Sequence, residues 1–141
     1  MDSKSVVLSF IKAADSGDFA TVEKVFGTKH GFYSSMSPVP MDAMHHLGMM
    51  QAFHAGFSNT RHEVLDLLES GNKVVVRGVW HGNHTGTFNN IPASGKNIHL
   101  PFIMIMEVEN NEIANQWIEL DSMTMMMQMG AIPTPEAAAA N

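Results

Sequence analysis

Residues 98–121, IHLPFIMIMEVENNEIANQWIELD, contain two stretches rich in strand-forming residues, separated by a pair of asparagines. Asn110 and Asn111 tolerate the positive φ angles that a tight hairpin turn requires. We therefore expect two antiparallel strands over residues 98–109 and 112–121, and these two strands set the character of the second half of the chain.

The rest of the chain supplies more strands and a set of helices. Two further strands are predicted, at 61–68 and 73–81, joined by a turn at 70–72. Apolar residues recur at helical spacing in three earlier segments: 3–14, 19–26 and 41–57. Helices followed by an antiparallel meander are typical of an α+β fold.

Length and composition favour one small domain. The chain has 141 residues, enough to bury one sizeable core. Residues 1–133 are predicted to form this domain, and the proline- and alanine-rich segment 134–141 is predicted to be a disordered tail. Apolar residues make up 45% of the chain and charged residues only 16%, so part of the surface should be neutral or apolar.

Charge and cysteine content exclude several classes of function. The net charge of −6 argues against nucleic acid and against an anionic membrane surface, since both need a basic footprint. The absence of cysteine excludes disulfides and thiolate chemistry. No signal peptide or membrane-spanning stretch is found, so a cytoplasmic location is expected.

The last predicted strand places two carboxylates on one face. Side chains alternate along a strand, which gives two sets: Trp117, Glu119 and Asp121 on one side, and Gln116, Ile118 and Leu120 on the other. In a closed pocket, burial and mutual repulsion would raise the pKa of at least one carboxyl, making it a general acid or base. The alternative is a solvated strand face with Trp117 half buried.

Eight histidines raise the question of a metal site. His81 and His84 form an H-x-x-H pair in a predicted strand or loop, without the helical spacing of zinc proteases. His45 and His46 are adjacent and point in different directions on a helix. Neither pair has a third ligand at a recognisable spacing, so we predict no metal and expect the histidines to orient groups or shuttle protons.

The second half of the chain resembles a known family. Residues 80–88, WHGNHTGTF, and 91–96, IPASGK, resemble the central stretch of SnoaL-like polyketide cyclases and predicted ester cyclases. Residues 112–121 are similar to that family's strand of pattern G-x-I-x-x-x-W-x-x-x-D, and residues 126–132 to its closing L-x-Q-L-G-x-x-P segment. The resemblance covers about residues 45–133.

The resemblance implies a nuclear-transport-factor-2-like fold, a cone of curved, mainly antiparallel sheet closed by about three helices around an apolar pocket. It also implies a cyclase that needs no metal or organic cofactor, in which a pocket aspartate handles the proton of an intramolecular aldol closure. That aspartate matches Asp121, and the motif histidine matches His84. The chain departs from the family pattern at Gln116, where many members have histidine.

We therefore interpret the chain as a cofactor-independent acid–base enzyme, a cyclase or isomerase acting on an apolar oxygenated molecule such as a polyketide or terpenoid. Asp121 is the expected acid or base, and Glu119 shares its proton. His84 and His99 are expected to polarise a carbonyl. The expected pocket residues are aromatic or sulfur-containing: Trp117, Trp80, Met104, Met106 and Phe53. The alternative is a non-catalytic ligand-binding or oligomerisation module, because this fold does not fix a function.

The same alternation predicts how the protein assembles. If the carboxylates face a pocket, the opposite face, with Gln116, Ile118 and Leu120, must be covered by something other than the helices. Aliphatic residues are out of place on the wet face of an antiparallel sheet. We therefore expect a two-fold symmetric homodimer packed sheet to sheet through these three residues.

Overall fold

Three helices open the chain, and each begins after an aspartate. They are α1, Ser3–Ser16; α2, Phe19–Phe26; and α3, Ala43–Gly56. The preceding side chains, Asp2, Asp18 and Asp42, each accept a hydrogen bond from the backbone N–H three residues further on. This satisfies an N–H group that no carbonyl within the helix can reach. The three predicted helices are confirmed to within two residues at each end.

The six strands form one curved, unclosed sheet in the order β2-β1-β6-β5-β4-β3. The strands are β1, Gly31–Ser34; β2, Met41–Asp42; β3, Phe57–Ser70; β4, Lys73–His84; β5, Asn97–Glu109; and β6, Glu112–Leu120. All neighbours are antiparallel except β1 and β6, which run parallel. Asn110 and Asn111 form the β5–β6 turn with positive φ angles, as predicted. The α+β fold predicted from the sequence is confirmed.

A fourth helix, α4 at Ser122–Gln128, follows the last strand. The sequence pattern did not predict it, since two turns of mostly methionine give too short a window for a helical period. Met125 of this helix and Met129, the residue after it, are buried and join a second apolar cluster with Phe57, Ile98 and Leu100. The main core lies between α1, α2 and the sheet.

The structure is a computed structural model and describes residues 1–135. Most of the tail predicted at 134–141 therefore lies outside the described residues. Within residues 1–135, no helix combines the length and the apolar character needed to cross a membrane.

A β-bulge in β6 decides which of its side chains face the helices. Val108 pairs with Ile113, but the next pair along is Glu107 with Asn115, so Ala114 is one extra residue on β6. We call the side of the sheet that the helices cover the inner face and the opposite side the outer face. Ile113 is fully buried on the inner face, and the extra residue shifts the alternation after it by one position.

The bulge reverses the faces expected for β6. The inner face carries Gln116, Ile118 and Leu120, which pack toward the core or line a cavity beneath the helices. The outer face carries Trp117, Glu119 and Asp121, all exposed. The prediction that the two carboxylates face the pocket is therefore wrong, and so is the prediction that the other three residues form the outer surface.

Candidate active site

A cavity lies between the helices and the inner face of the sheet. The space inside it that a water-sized molecule can occupy is about 100 Å³, which is small beside the roughly 300–1,000 Å³ of typical small-molecule sites. Phe53, Trp80 and Met104, which the sequence predicts to shape a pocket, line this cavity. Met106 does not, because it is fully buried in the main core, and Trp117 lies on the outer face.

A carboxylate and an imidazole form a hydrogen-bonded pair in the cavity wall. Asp15 comes from the last turn of α1 and His62 from β3, 47 positions apart in the chain. Nδ1 of His62 donates to Oδ1 of Asp15 at 2.5 Å, and the backbone N–H of His62 donates to Oδ2 at 2.9 Å. The two side chains are only 19% and 22% exposed. The carboxylate therefore fixes both the orientation and the tautomer of the ring, leaving Nε2 to act on a ligand.

A second histidine pair lies on the opposite side of the cavity. Nδ1 of His30 lies 2.7 Å from the carbonyl oxygen of Ile113, and Nε2 of His30 lies 2.8 Å from Nδ1 of His46. Since a carbonyl only accepts, Nδ1 of His30 is the donor, and Nε2 of His30 is left to accept from Nδ1 of His46. Nε2 of His46 therefore carries a lone pair, and His46 lines the cavity.

Burial keeps this histidine pair neutral. Burial, and then the neighbouring His30, lowers the pKa of His46 from its ordinary 6.5 to about 2. Burial also lowers the pKa of His30, and the hydrogen bond to Ile113 partly offsets this. Both rings are stacked with Phe26, and His46 also lies flat on Phe32. The pair is thus a fixed, uncharged part of the cavity wall.

Gln116 places an amide in the cavity at the position where many members of the resembled family have histidine. Its side chain is 3% exposed, and Nε2 donates to the sulfur of Met104 at 3.5 Å. Within residues 1–135, Oε1 of Gln116 has no hydrogen-bond partner. The cavity therefore contains a buried acceptor that no donor in the described part of the chain satisfies.

Comparison with known proteins assigns this architecture to a family. The sequence model described as SnoaL-like polyketide cyclase matches residues 4–129. The chain belongs to the SnoaL-like polyketide cyclase family. No match was found among curated proteins.

Solved structures share the fold of this SnoaL-like protein at low sequence identity. IdmH from Streptomyces antibioticus, a predicted polyketide cyclase, is 23% identical, with a TM-score of 0.81 over 92% of this chain and 99% of that one. AclR from Streptomyces galilaeus, a predicted hydroxylase, is 16% identical, with a TM-score of 0.85 over 98% and 90%. A protein with a ketosteroid isomerase-like fold from Catenulispora acidiphila, solved with trimethylamine, is 13% identical, with a TM-score of 0.75 over 89% and 92%. At these identities the likeness establishes the fold alone.

Asp121 matches the family's catalytic aspartate. In this SnoaL-like chain it stabilises the start of a helix instead of lining the cavity. It is the N-cap of α4, where its two oxygens accept from the backbone N–H of Thr124 at 3.0 Å and from the Thr124 hydroxyl at 2.6 Å. The hydroxyl and backbone hydrogen bonds of Thr124 lower the pKa of Asp121, whereas a general acid would need a raised pKa. Asp121 and Glu119 border a shallow groove on the outer face.

The two histidines predicted to polarise a carbonyl also lie away from the cavity lining. His84 is fully buried, and its Nδ1 accepts from the backbone N–H of Ser94 at 3.2 Å, which ties down the segment before β5. His99 lies on the outer face, 2.6 Å from Nδ1 of His81, and His81 in turn donates to Glu63 at 3.0 Å. None of the four predicted catalytic residues lines the cavity.

Sequence reasoning missed the polar residues that do line the cavity. His62 shares a strand face with apolar Val64, whereas the charged neighbours Arg61 and Glu63 lie on the other face. This alternation would have predicted that His62 points inward. Asp15 follows the predicted end of the first helix by one residue. Within the described residues, no three histidine, aspartate or glutamate side chains converge as metal ligands.

Proposed function

We propose that this SnoaL-like protein is a cofactor-independent acid–base enzyme of the cyclase type, acting on an apolar oxygenated small molecule. The observation that carries the proposal is the Asp15–His62 pair in the wall of a largely apolar cavity. An apolar wall suits a carbon skeleton such as that of a polyketide or terpenoid, and a few fixed polar groups orient it.

His62 supplies the proton transfers in the proposed reaction. Its Nε2 lone pair takes a proton from a carbon next to a carbonyl, which gives an enolate and an imidazolium. The enolate carbon then bonds to a second carbonyl carbon of the same molecule, whose oxygen becomes an alkoxide. Nε2 returns the proton to that alkoxide, so the ring ends as it began. The Asp15 carboxylate accepts the hydrogen bond from Nδ1 of His62 and stabilises the positive charge of the imidazolium that forms.

A ketone that is not the natural substrate can test the first of these steps. 1-Tetralone is apolar and bicyclic, and its α-protons exchange with D₂O when a base removes them. The protein should accelerate the loss of the α-proton signal in NMR spectra over buffer alone. Binding of 1-tetralone without any acceleration would instead support a non-catalytic ligand-binding module.

We also propose that the protein is a homodimer through the outer face of the sheet, with different residues from those predicted. Ile103, Ile105 and Trp117 are 52%, 37% and 36% exposed and lie on neighbouring strands, where Ile105 pairs with Trp117. Tyr33 stacks on Trp117 at 5.5 Å between ring centroids. A contiguous apolar surface of this kind is unusual on a monomer, and a second copy presents the same surface.

Replacing Ile105 with lysine is expected to convert this dimer to a monomer. The lysine would place a charge at the centre of an apolar interface, where it has no partner. Sedimentation at micromolar concentration measures the change. Leu8→Lys, at a similarly exposed leucine on α1, is the matched control and should stay dimeric. A wild-type protein that sediments as a monomer would contradict the proposal.

A further inference from the structure

Two histidines on the outer face of the sheet lie side by side on neighbouring strands. His81 of β4 pairs directly with His99 of β5 in the antiparallel ladder, and their Nδ1 atoms are 2.6 Å apart. The rings meet edge to face, with 4.8 Å between their centroids. The two nitrogens therefore converge on one point, where only one of them can carry a proton. The sequence pairs His81 with His84 instead, because the contact between the strands is not visible along the chain.

A carboxylate on the other side of His81 settles which ring nitrogen carries the proton. Nε2 of His81 lies 3.0 Å from Oε1 of Glu63 on β3. The hydrogen bond from His81 lowers the pKa of Glu63, so this carboxyl is ionised at neutral pH and can only accept. Nε2 of the neutral His81 ring is therefore the donor, and its Nδ1 has a lone pair that accepts from Nδ1 of His99.

This arrangement is typical of a histidine that binds a metal ion. Such a histidine coordinates the ion through one ring nitrogen and donates the other N–H to a carboxylate, which fixes the ring and strengthens it as a ligand. His81 and Glu63 are arranged in this way. His99 is exposed to solvent, and it needs only to move its proton from Nδ1 to Nε2, a change of tautomer that leaves the ring neutral. Both Nδ1 atoms then offer a lone pair to the same point.

The strands hold the two rings close to the separation that an ion requires. Two bonds of 2.0–2.1 Å at a tetrahedral angle place the nitrogens about 3.3 Å apart, so the 2.6 Å between them must grow by about 0.7 Å. The backbone of His99 is held from α4, where the Gln128 amide accepts from the His99 N–H at 2.9 Å and donates to the His99 carbonyl at 3.0 Å. A small rotation of the side chains is therefore enough.

The chemistry of the two ligands determines the class of ion. Arg61 pairs with His81 from β3 and disfavours a cation, whereas the Glu63 carboxylate favours one. These two charges oppose each other, so the imidazole nitrogens decide the selectivity. Imidazole suits Zn²⁺, Cu²⁺ and Ni²⁺, whereas Mg²⁺ and Ca²⁺ prefer oxygen ligands. The pair therefore favours a divalent transition-metal ion.

We propose that His81 and His99 bind a divalent transition-metal ion such as Zn²⁺ on the outer face, with Glu63 as the carboxylate that orients His81. Two protein ligands leave the other coordination positions to water. The site is four residues along β5 from Ile103, roughly 14 Å, and so lies beside the exposed apolar surface. It is on the other side of the sheet from the cavity, so the inference does not rest on the proposed reaction. An ion bound by two strands stabilises the folded protein.

Calorimetric titration of the metal-free protein with ZnCl₂ tests the site without any substrate. Wild-type protein should bind Zn²⁺, and Glu63→Gln should weaken this binding by about 10–100-fold, the usual effect of losing an orienting carboxylate. His81→Gln and His99→Gln should each weaken it further, because each removes a ligand. Circular dichroism checks that the variants are folded, and His99→Gln, at an exposed position, remains informative if His81→Gln is not.

The matched control is another exposed histidine that contacts a carboxylate. Nδ1 of His45 lies 2.7 Å from Oδ1 of Asp42, without a second imidazole beside it, and His45→Gln should keep the wild-type Kd for Zn²⁺. In NMR spectra of the imidazole rings, Zn²⁺ should shift the signals of His81 and His99 first. A wild-type protein that does not bind Zn²⁺ would overturn the proposal, and so would a His99→Gln protein with the wild-type Kd or a first shift at His62 in the cavity.

Discussion

His62→Gln is expected to slow the catalysed α-proton exchange of 1-tetralone by about 10²–10⁴-fold, the usual contribution of a positioned acid or base. Glutamine keeps a polar side chain of similar reach but has no basic nitrogen to accept the proton. Asp15→Asn should also slow the reaction, because a neutral amide does not stabilise the imidazolium that forms on His62. NMR in D₂O measures both rates, and circular dichroism checks that the variants are folded.

Two outer-face variants are the matched controls for this experiment. His99→Gln and Asp121→Asn make the same chemical changes outside the cavity and should retain the wild-type rate. Asparagine caps a helix about as well as aspartate, so Asp121→Asn leaves α4 in place. A His62→Gln protein with the wild-type rate would contradict the assignment, and a large loss in Asp121→Asn would restore the aspartate that the family resemblance indicates.

Acidification from pH 7 to pH 5 is expected to cost the folded protein about 2 kcal/mol through His46 alone. The folded ring stays neutral down to its pKa of about 2, whereas the unfolded ring takes up a proton below about 6.5. Between these values the unfolded state binds more protons, so stability is complete above pH 6.5 and declines as the pH falls. Urea unfolding at the two pH values measures the difference.

His46→Phe should remove most of this dependence while keeping an aromatic ring between Phe26 and Phe32. The carboxylates with lowered pKa values, such as Asp18 and Asp121, titrate below this window, and the remaining histidines are common to both proteins. His45→Phe, at the exposed neighbour on the same helix, is the control and should behave as the wild type. If His46→Phe loses as much stability between pH 7 and pH 5 as the wild type does, the buried histidine pair is not neutral in the folded protein.

The fold was predictable from the sequence because its signals are local. The helical spacing in residues 3–14, the alternation in 98–109 and the Asn110-Asn111 turn each act within a few positions. The methionine-rich α4 and the short β2 are too brief to carry such a period. The family resemblance rests on motifs at residues 80–88, 91–96, 112–121 and 126–132, and these are also short, local stretches of the chain.

The site was not predictable because it depends on tertiary pairing and on one extra residue. Asp15 and His62 meet only when α1 crosses the start of β3, and nothing in their spacing of 47 positions signals this. Ala114 has no sequence feature that marks a bulge, yet it turns Gln116 inward and Asp121 outward. The sequence offers one sign of which face of β6 is buried. Ile118 and Leu120 are aliphatic, whereas Glu119 is charged and a carboxylate is costly to bury, so the face with Ile118 and Leu120 is the one expected to point inward.

The central claim is that a ligand binds in the cavity beneath the helices and not on the outer face beside Asp121. NMR signals of the methionine methyl groups show directly where the ligand binds. Met36, Met49, Met50 and Met104 line the cavity, whereas Met44 and Met123 are 79% and 66% exposed elsewhere. With the methionine methyl groups labelled with ¹³C, titration with 1-tetralone should shift the NMR signals of the cavity group and leave those of Met44 and Met123 in place. Shifts at Met123, beside the outer-face aspartate, with the cavity signals unmoved would contradict the account.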